Sequence, residues 1–278
     1  SIVLGTVLGG VLITPSIATL ILSFDFPLID TGIDSAVEAS IIIIGVFYAI
    51  AALFNLFIPD TGVDHRILKF NPLFLVHEFS HCVKLLWTDK LGQISLAVTT
   101  LFWGAGATLQ FIVLKWAEAA LNFPLNQAAQ LQGVVALGIA IGAVLAAKIV
   151  SLRQSVKVIP LGILMGLVVM IMTLVSNLWI AVGLLILIGG LAGFFVVPMN
   201  ALLQHRGHIL MGAGHSIAVQ NFNENLSILA MLLLYALLIW LDVHIYIVII
   251  LFGSFVSISM TIIRKWHLTN QSKEDSLH

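Results

Sequence analysis

Eight apolar stretches, each long enough to cross a bilayer, limit what this chain can fold into. They run over residues 1–22, 37–58, 94–116, 131–150, 158–175, 179–197, 212–240 and 244–263. Hydrocarbon offers no water to backbone N–H and C=O groups, so each stretch must satisfy them within itself, as a helix does. Charged residues make up 9% of the chain and its mean hydropathy is +1.12, where an ordinary soluble domain has about 25% charged residues. The fold expected is an all-α membrane protein, a polytopic helical bundle with about eight transmembrane helices. A net charge of −1 gives nucleic acid nothing to bind. The single cysteine, Cys82, excludes an internal disulfide.

Lysine and arginine decide orientation, because they accumulate in cytoplasmic loops. Counting the gaps alternately puts Arg66, Lys69, Lys84, Lys90, Lys148, Arg153, Lys157, Arg206, Arg264, Lys265 and Lys273 on one side. Lys115 alone falls on the other. Both ends of the chain are therefore expected in the cytoplasm. Trp87, Trp116, Trp179, Trp240 and Trp266 sit at span ends, where interface belts favour indoles. The chain opens at Ser1 inside an apolar stretch, and its first basic residue is Arg66, so a secretory signal is not expected. The expectation is a fragment that lacks upstream sequence.

The stretch 212–240 carries a block of polar residues that lipid would not tolerate. At 3.6 residues per turn, Gly212, Ser216, Gln220, Glu224 and Ser227 form one stripe, with Asn223 beside it and Asn221 and Asn225 on the adjoining face. A helix entering the membrane near Gly212 would place Glu224 about 18 Å deep, near the middle of a hydrocarbon core of about 30 Å. A carboxylate there costs on the order of 3 kcal/mol, so it should face a polar cavity or a partner, or carry a proton. The bland reading is an interhelical hydrogen-bond patch that holds the bundle together. Trp103 lies mid-span, with Thr99, Gly106 and Gln110 on its stripe, and suits either a cavity wall or packing. Gly138 with Gly142, and Gly189 with Gly193, read as small-residue packing motifs. Pro198 is expected to kink or end its helix, leaving Asn200 and Gln204 at the cytoplasmic mouth.

The long gap between the second and third stretches contains NPLFLVHEFSHCVKLLW. Leu75, Val76, Phe79, Cys82, Val83 and Leu86 share one face of it, and His77, His81 and Lys84 the other, the pattern of an interfacial helix. His77, Glu78 and His81 match H-E-x-x-H, in which two imidazoles one turn apart hold zinc and the glutamate acts as general base. A zinc hydrolase also needs a third ligand. The only Leu-Asp pair, Leu241-Asp242, is followed by valine and falls on the opposite side by the charge count. The favoured reading is a solvated face with no metal and no enzyme activity.

From Thr99 to Gly106 (TTLFWGAG) onward, the residues fall into a recognisable series: WGAGATLQF, GVVALGIAIGAVLAAKIVSL, IPLGILMGLVVMIM, IGGLAGFFVVPMNALLQHRG and MGAGHSIAVQNFNENLSILAML. This series resembles the lysophospholipid transporters of the major facilitator superfamily, over residues 99–263, with a weaker trace in SIVLGTVLGGVL. The resemblance implies a fold of twelve helices in two halves, of which this chain would supply helices five to twelve. Residues 1–59 would end the first bundle, 60–90 would be a cytoplasmic linker with the interfacial helix, and 91–278 would be the second six-helix bundle and tail. It also implies lysophospholipid as substrate, delivered across a bacterial inner membrane to the cytoplasmic leaflet for reacylation, with membrane lipids around it, a cytoplasmic-side acyltransferase as a partner, and no cofactor. The substrate site would comprise Gln220, Asn221, Asn223, Glu224 and Asn225, with Trp103 and Gln110 opposite and Asn200 and Gln204 at the mouth. The family carries Arg more often than Gln at position 110, so Gln110 removes a cation that could pair with Glu224 or a lipid phosphate. A facilitator carrier of another small molecule or drug, an H-E-x-x-H protease and a non-functional remnant are the rival readings.

Overall fold

The computed structural model describes residues 36–57 and 72–275. The first apolar stretch, 1–22, lies outside the described residues. Two compact units divide at Asn71 and Pro72. In the first, residues 36–55 form one apolar helix, α1 (Ala36–Asn55). The other described helices belong to the second.

The second unit opens with α2 (Pro72–Thr88) and continues through α3 (Lys90–Leu121), α4 (Leu125–Ile149), α5 (Ile159–Ile171), α6 (Leu178–Met211), α7 (Ala213–Trp240) and α8 (Ile245–Asp275). Short 3₁₀ turns, Leu152–Val158 and Met172–Leu174, flank α5. With those turns, α3 to α8 make six spans long and apolar enough to cross a membrane, and no strand occurs among the described residues. The chain is a multi-pass membrane protein.

Local chemistry sets the helix ends. The Asp89 carboxylate caps α3 by accepting from the Gly92 N–H at 2.7 Å, and the Asn177 side chain caps α6 by accepting from the Trp179 and Ile180 N–H groups. Asn122 closes α3 in the left-handed region at φ 53°. A single residue, Gly212 at φ 83°, separates α6 from α7. With ψ at 164°, Gly212 takes a positive-φ, extended conformation that glycine adopts without the penalty a Cβ would bring, which permits so abrupt a reversal.

Packing is most intimate between α4 and α6. The two small-residue motifs face each other: a Cβ on Gly138 would meet Gly189 Cα at 3.1 Å, and one on Gly193 would meet Ala143 N at 2.9 Å. In lipid, where apolar burial alone drives little association, this backbone approach supplies the van der Waals contact that holds helices together. The main core gathers Trp116, Phe195, Leu185, Ile188, Val248 and Met260.

One expectation is corrected and another is narrowed. Trp116 is fully buried instead of lying in an interface belt, and its indole N–H donates to the Met172 carbonyl at 3.0 Å, tying α3 to the turn after α5. Trp179 and Trp240, by contrast, stand exposed at span ends. Pro198 does not end its helix: α6 runs through it to Met211. Neighbouring helices in a membrane can re-satisfy the backbone group that proline frees.

Candidate functional site

The polar stripe of α7 turns inward. Ser216, Gln220 and Glu224 are all buried, on a helix that is otherwise the least covered of the six spans, 11% buried against 28–44% for the others. Glycines on the neighbouring helices make room for its two ends. A Cβ on Gly207 of α6 would meet the side chain of Ser216, and one on Gly104 of α3 would meet the Ser227 hydroxyl and Met231 Cγ. The stripe therefore sits in the crevice where α3 and α6 flank α7.

Gln220 is the hub of the group. Its amide nitrogen donates to Glu224 Oε1 at 2.8 Å and to Asn200 Oδ1 at 3.2 Å. Asn200, half-buried on α6, is tied to the stripe by this bond. One Glu224 oxygen is thus engaged, and no ion pair reaches this carboxylate among the described residues. Its second oxygen, the Gln220 carbonyl and the Asn200 amide N–H groups retain bonding capacity. The Ser216 hydroxyl is buried without a hydrogen-bond partner. Such an arrangement can accept an ammonium or another cation at the carboxylate while hydrogen-bonding a polar headgroup at the amides.

The other residues picked from the sequence lie around this group without joining it. Asn223 and Asn225 donate back to their own helix, to the Val219 carbonyl at 2.8 Å and the Asn221 carbonyl at 2.7 Å. Asn221 and Asn225 are exposed, and Gln204 is exposed on α6. Trp103, 38% exposed, packs edge-on against Phe102, while Gln110 has an exposed side chain and a carbonyl that accepts from Gln132 Nε2 at 2.6 Å. No hydrogen bond joins Trp103 or Gln110 to Glu224 among the described residues.

At the end of the bundle where α7 begins, α2 is fastened down. Cys82 and Leu86 pack with Leu96, Leu203 and Val219, and the Phe79 ring meets Phe222 edge-on at 5.2 Å. Leu75 and Val76, from the same apolar face, remain exposed. Glu78 lies 3.6 Å from His215 Nε2 on α7, while His77 and His81 are exposed. No group of three His, Cys, Asp or Glu side chains among the described residues could hold a metal. Burial, with the Glu78 charge adding to it, pushes the Cys82 thiol up. Asp89, which caps α3, also pairs with Arg206 of α6, whose Nε donates to its Oδ2 at 2.9 Å and whose Nη2 donates to its Oδ1. Burial pushes this carboxyl up, but the Arg206 bonds and charge and the Gly92 and Leu91 N–H groups together hold it below the usual carboxylate range. The sequence reading missed both pairs, since no local pattern announces partners so far apart.

No protein-family model and no solved structure matches the chain. Several curated proteins do. The Lysophospholipid transporter LplT of Serratia proteamaculans (strain 568) is 43% identical over 205 residues, covering 73% of this chain and 52% of that protein. The protein of the same name from Yersinia pestis (strain Pestoides F) is 45% identical over 193 residues, covering 69% and 48%. Yersinia pseudotuberculosis serotype O:3 (strain YPIII) has a relative at the same identity and coverage. Over these residues the chain is similar to proteins named lysophospholipid transporters. It spans about half the length of the curated relatives it matches. A buried carboxylate partway along a membrane-length helix is a candidate functional group.

Proposed function

We propose that this chain is part of a secondary transporter that moves lysophospholipids, of the lysophosphatidylethanolamine kind, across the bacterial inner membrane to the cytoplasmic leaflet. The observation that carries the reading is the buried Gln220–Glu224 pair with half-buried Asn200 bonded to it, without a cation partner among the described residues, in a chain 43–45% identical to proteins named lysophospholipid transporters. Glu224 takes the ethanolamine ammonium, or a coupling cation, while Gln220 and Asn200 bond the polar headgroup. The open flank of α7, with Asn221, Asn223 and Asn225, lines the polar part of the cavity, Trp103 and Gln110 stand across it, and Gln204 lies at its mouth. Apolar walls receive the single acyl chain. Midplane sites between two rocking halves are the general pattern for such carriers.

In this reading the excess of cations puts the N-terminal end of the chain and its C-terminus in the cytoplasm. Residues 1–59 end the first bundle, 60–90 form the linker and 91–278 the second bundle with its tail. The lipid delivered is reacylated there, by an acyltransferase that acts as a partner; the carrier itself is not an enzyme. The test is uptake of labelled lysophosphatidylethanolamine by cells producing the chain alone, or joined to the upstream half of a relative. Uptake by the joined protein and none by the chain alone is expected. No uptake by the joined protein, although it reaches the membrane, would defeat the reading.

A further inference from the structure

Away from the Glu224 group, a cavity of about 700 Å³ opens at the end of the bundle where α3 and α7 begin and α4, α6 and α8 finish. Five elements wall it: the start of α3, the 3₁₀ turn leading into α5, the first turn of α5, the end of α6 and the last turns of α8. Its size falls in the range of ligand sites, about 300–1,000 Å³. Arg153, Lys157, Arg206, Arg264, His205 and His267 line it, and no Asp or Glu does. Arg206 is committed to Asp89. Arg153, Lys157 and Arg264 have no carboxylate partner among the described residues. A bias of cations toward one membrane face explains why they lie at this end. It does not explain three unpaired cations converging from two elements on one cavity, with Leu152, Val156 and Leu268 as apolar wall beside them.

We propose that this cavity binds a phosphate group, and that the apolar wall makes an anionic phospholipid its source. Arginine presents a planar fork that suits phosphate oxygens, and lysine adds a point charge. Basic pockets between transmembrane helices on the cytoplasmic side are suited to acidic lipid headgroups. Leu152, Val156 and Leu268 give the first acyl carbons a surface that a free ion would not use. A lipid held there would tie the turn before α5 to the ends of α6 and α8. The inference does not rest on the transport reading and concerns different residues.

The test is native mass spectrometry of the 278-residue chain in detergent, titrated separately with phosphatidylglycerol, phosphatidylcholine and inorganic phosphate. Phosphatidylglycerol should bind at least ten times more tightly than phosphatidylcholine. Affinity should fall about five-fold for each cation removed in the series Arg153→Gln, Lys157→Gln and Arg264→Gln. Lys115→Gln, at the far end of the bundle, should change nothing, and Arg153→Lys with Arg264→Lys, which keep the charge, should retain most of the binding and report a folded protein. Phosphatidylglycerol that millimolar phosphate fails to displace confirms the lipid; phosphate that binds alone while the lipid does not overturns that source. Equal phosphatidylglycerol binding by wild type and the triple Gln variant overturns the site.

Discussion

Replacing Gly142 by alanine should cost this protein stability, although alanine is the better helix former. Taken alone, the exchange in a helix interior gains about 0.5–1 kcal/mol. At Gly142, however, the added methyl would run into the carbonyl oxygen of Gly190 on α6, with Gly190 C at 2.8 Å and Phe194 N at 2.9 Å. These are backbone atoms of a continuous helix and cannot rotate aside, so α4 and α6 must move apart. Overpacking of this kind costs about 1–3 kcal/mol, and here it also loosens neighbouring contacts such as Gly138 with Gly189. The net loss expected is about 1–2 kcal/mol, roughly a tenfold drop in the folded-to-unfolded ratio. The control is Gly183→Ala on α6, where no atom lies within 4 Å of the added carbon and the propensity gain should stand alone. Titration of the purified chain with dodecyl sulfate in mixed micelles, followed by circular dichroism, reads both. If Gly142→Ala were as stable as Gly183→Ala, the close α4–α6 approach would be wrong.

Asp89→Asn keeps the cap on α3 and removes the charge facing Arg206, so melting at neutral pH should show a loss of about 2 kcal/mol. Because the folded carboxyl is held below the usual carboxylate range, its stabilisation is complete above that range and disappears as pH falls through the folded value. Wild type and variant melting curves should therefore converge in acid; a gap that persists there would contradict the ion pair. Gly212→Ala meets no atom within 4 Å yet must adopt φ 83°, and should lose about 1–2 kcal/mol in the same dodecyl sulfate titration. Phe79→Ala removes the edge contact with Phe222, worth about 0.5–1.5 kcal/mol beyond buried area, and hydrogen exchange should quicken in Pro72–Thr88 while α4 and α6 stay protected.

The six described spans were legible because twenty apolar residues in a row admit few structures but a helix. The inward face of α7 was legible too: Ser216, Gln220 and Glu224 recur every four residues, and three polar groups on one stripe have nowhere to go but inward. The bond of Asn200 to Gln220 was not legible, because it joins residues 20 positions apart on two different helices. In a packed membrane bundle α6 simply runs on past Pro198. Trp116 sat where a belt indole would, and only the carbonyl of Met172, 56 positions away, shows that it turns inward. The Asp89–Arg206 pair bridges 117 positions and the Glu78–His215 pair links α2 to α7, so periodicity within one helix could reveal neither. Asn223 and Asn225 looked like the rest of the polar block because a sequence does not say whether an amide reaches outward or bends back to its own helix.

The central proposal is that Glu224, held by Gln220, receives the headgroup. The most direct measurement compares uptake of labelled lysophosphatidylethanolamine by Glu224→Gln and wild type, in the chain joined to an upstream half and at matched membrane levels. The variant keeps the size of the side chain and its hydrogen bond with Gln220 while losing the negative charge, and uptake should fall at least tenfold. Unchanged uptake by Glu224→Gln would contradict the assignment of this carboxylate to the substrate.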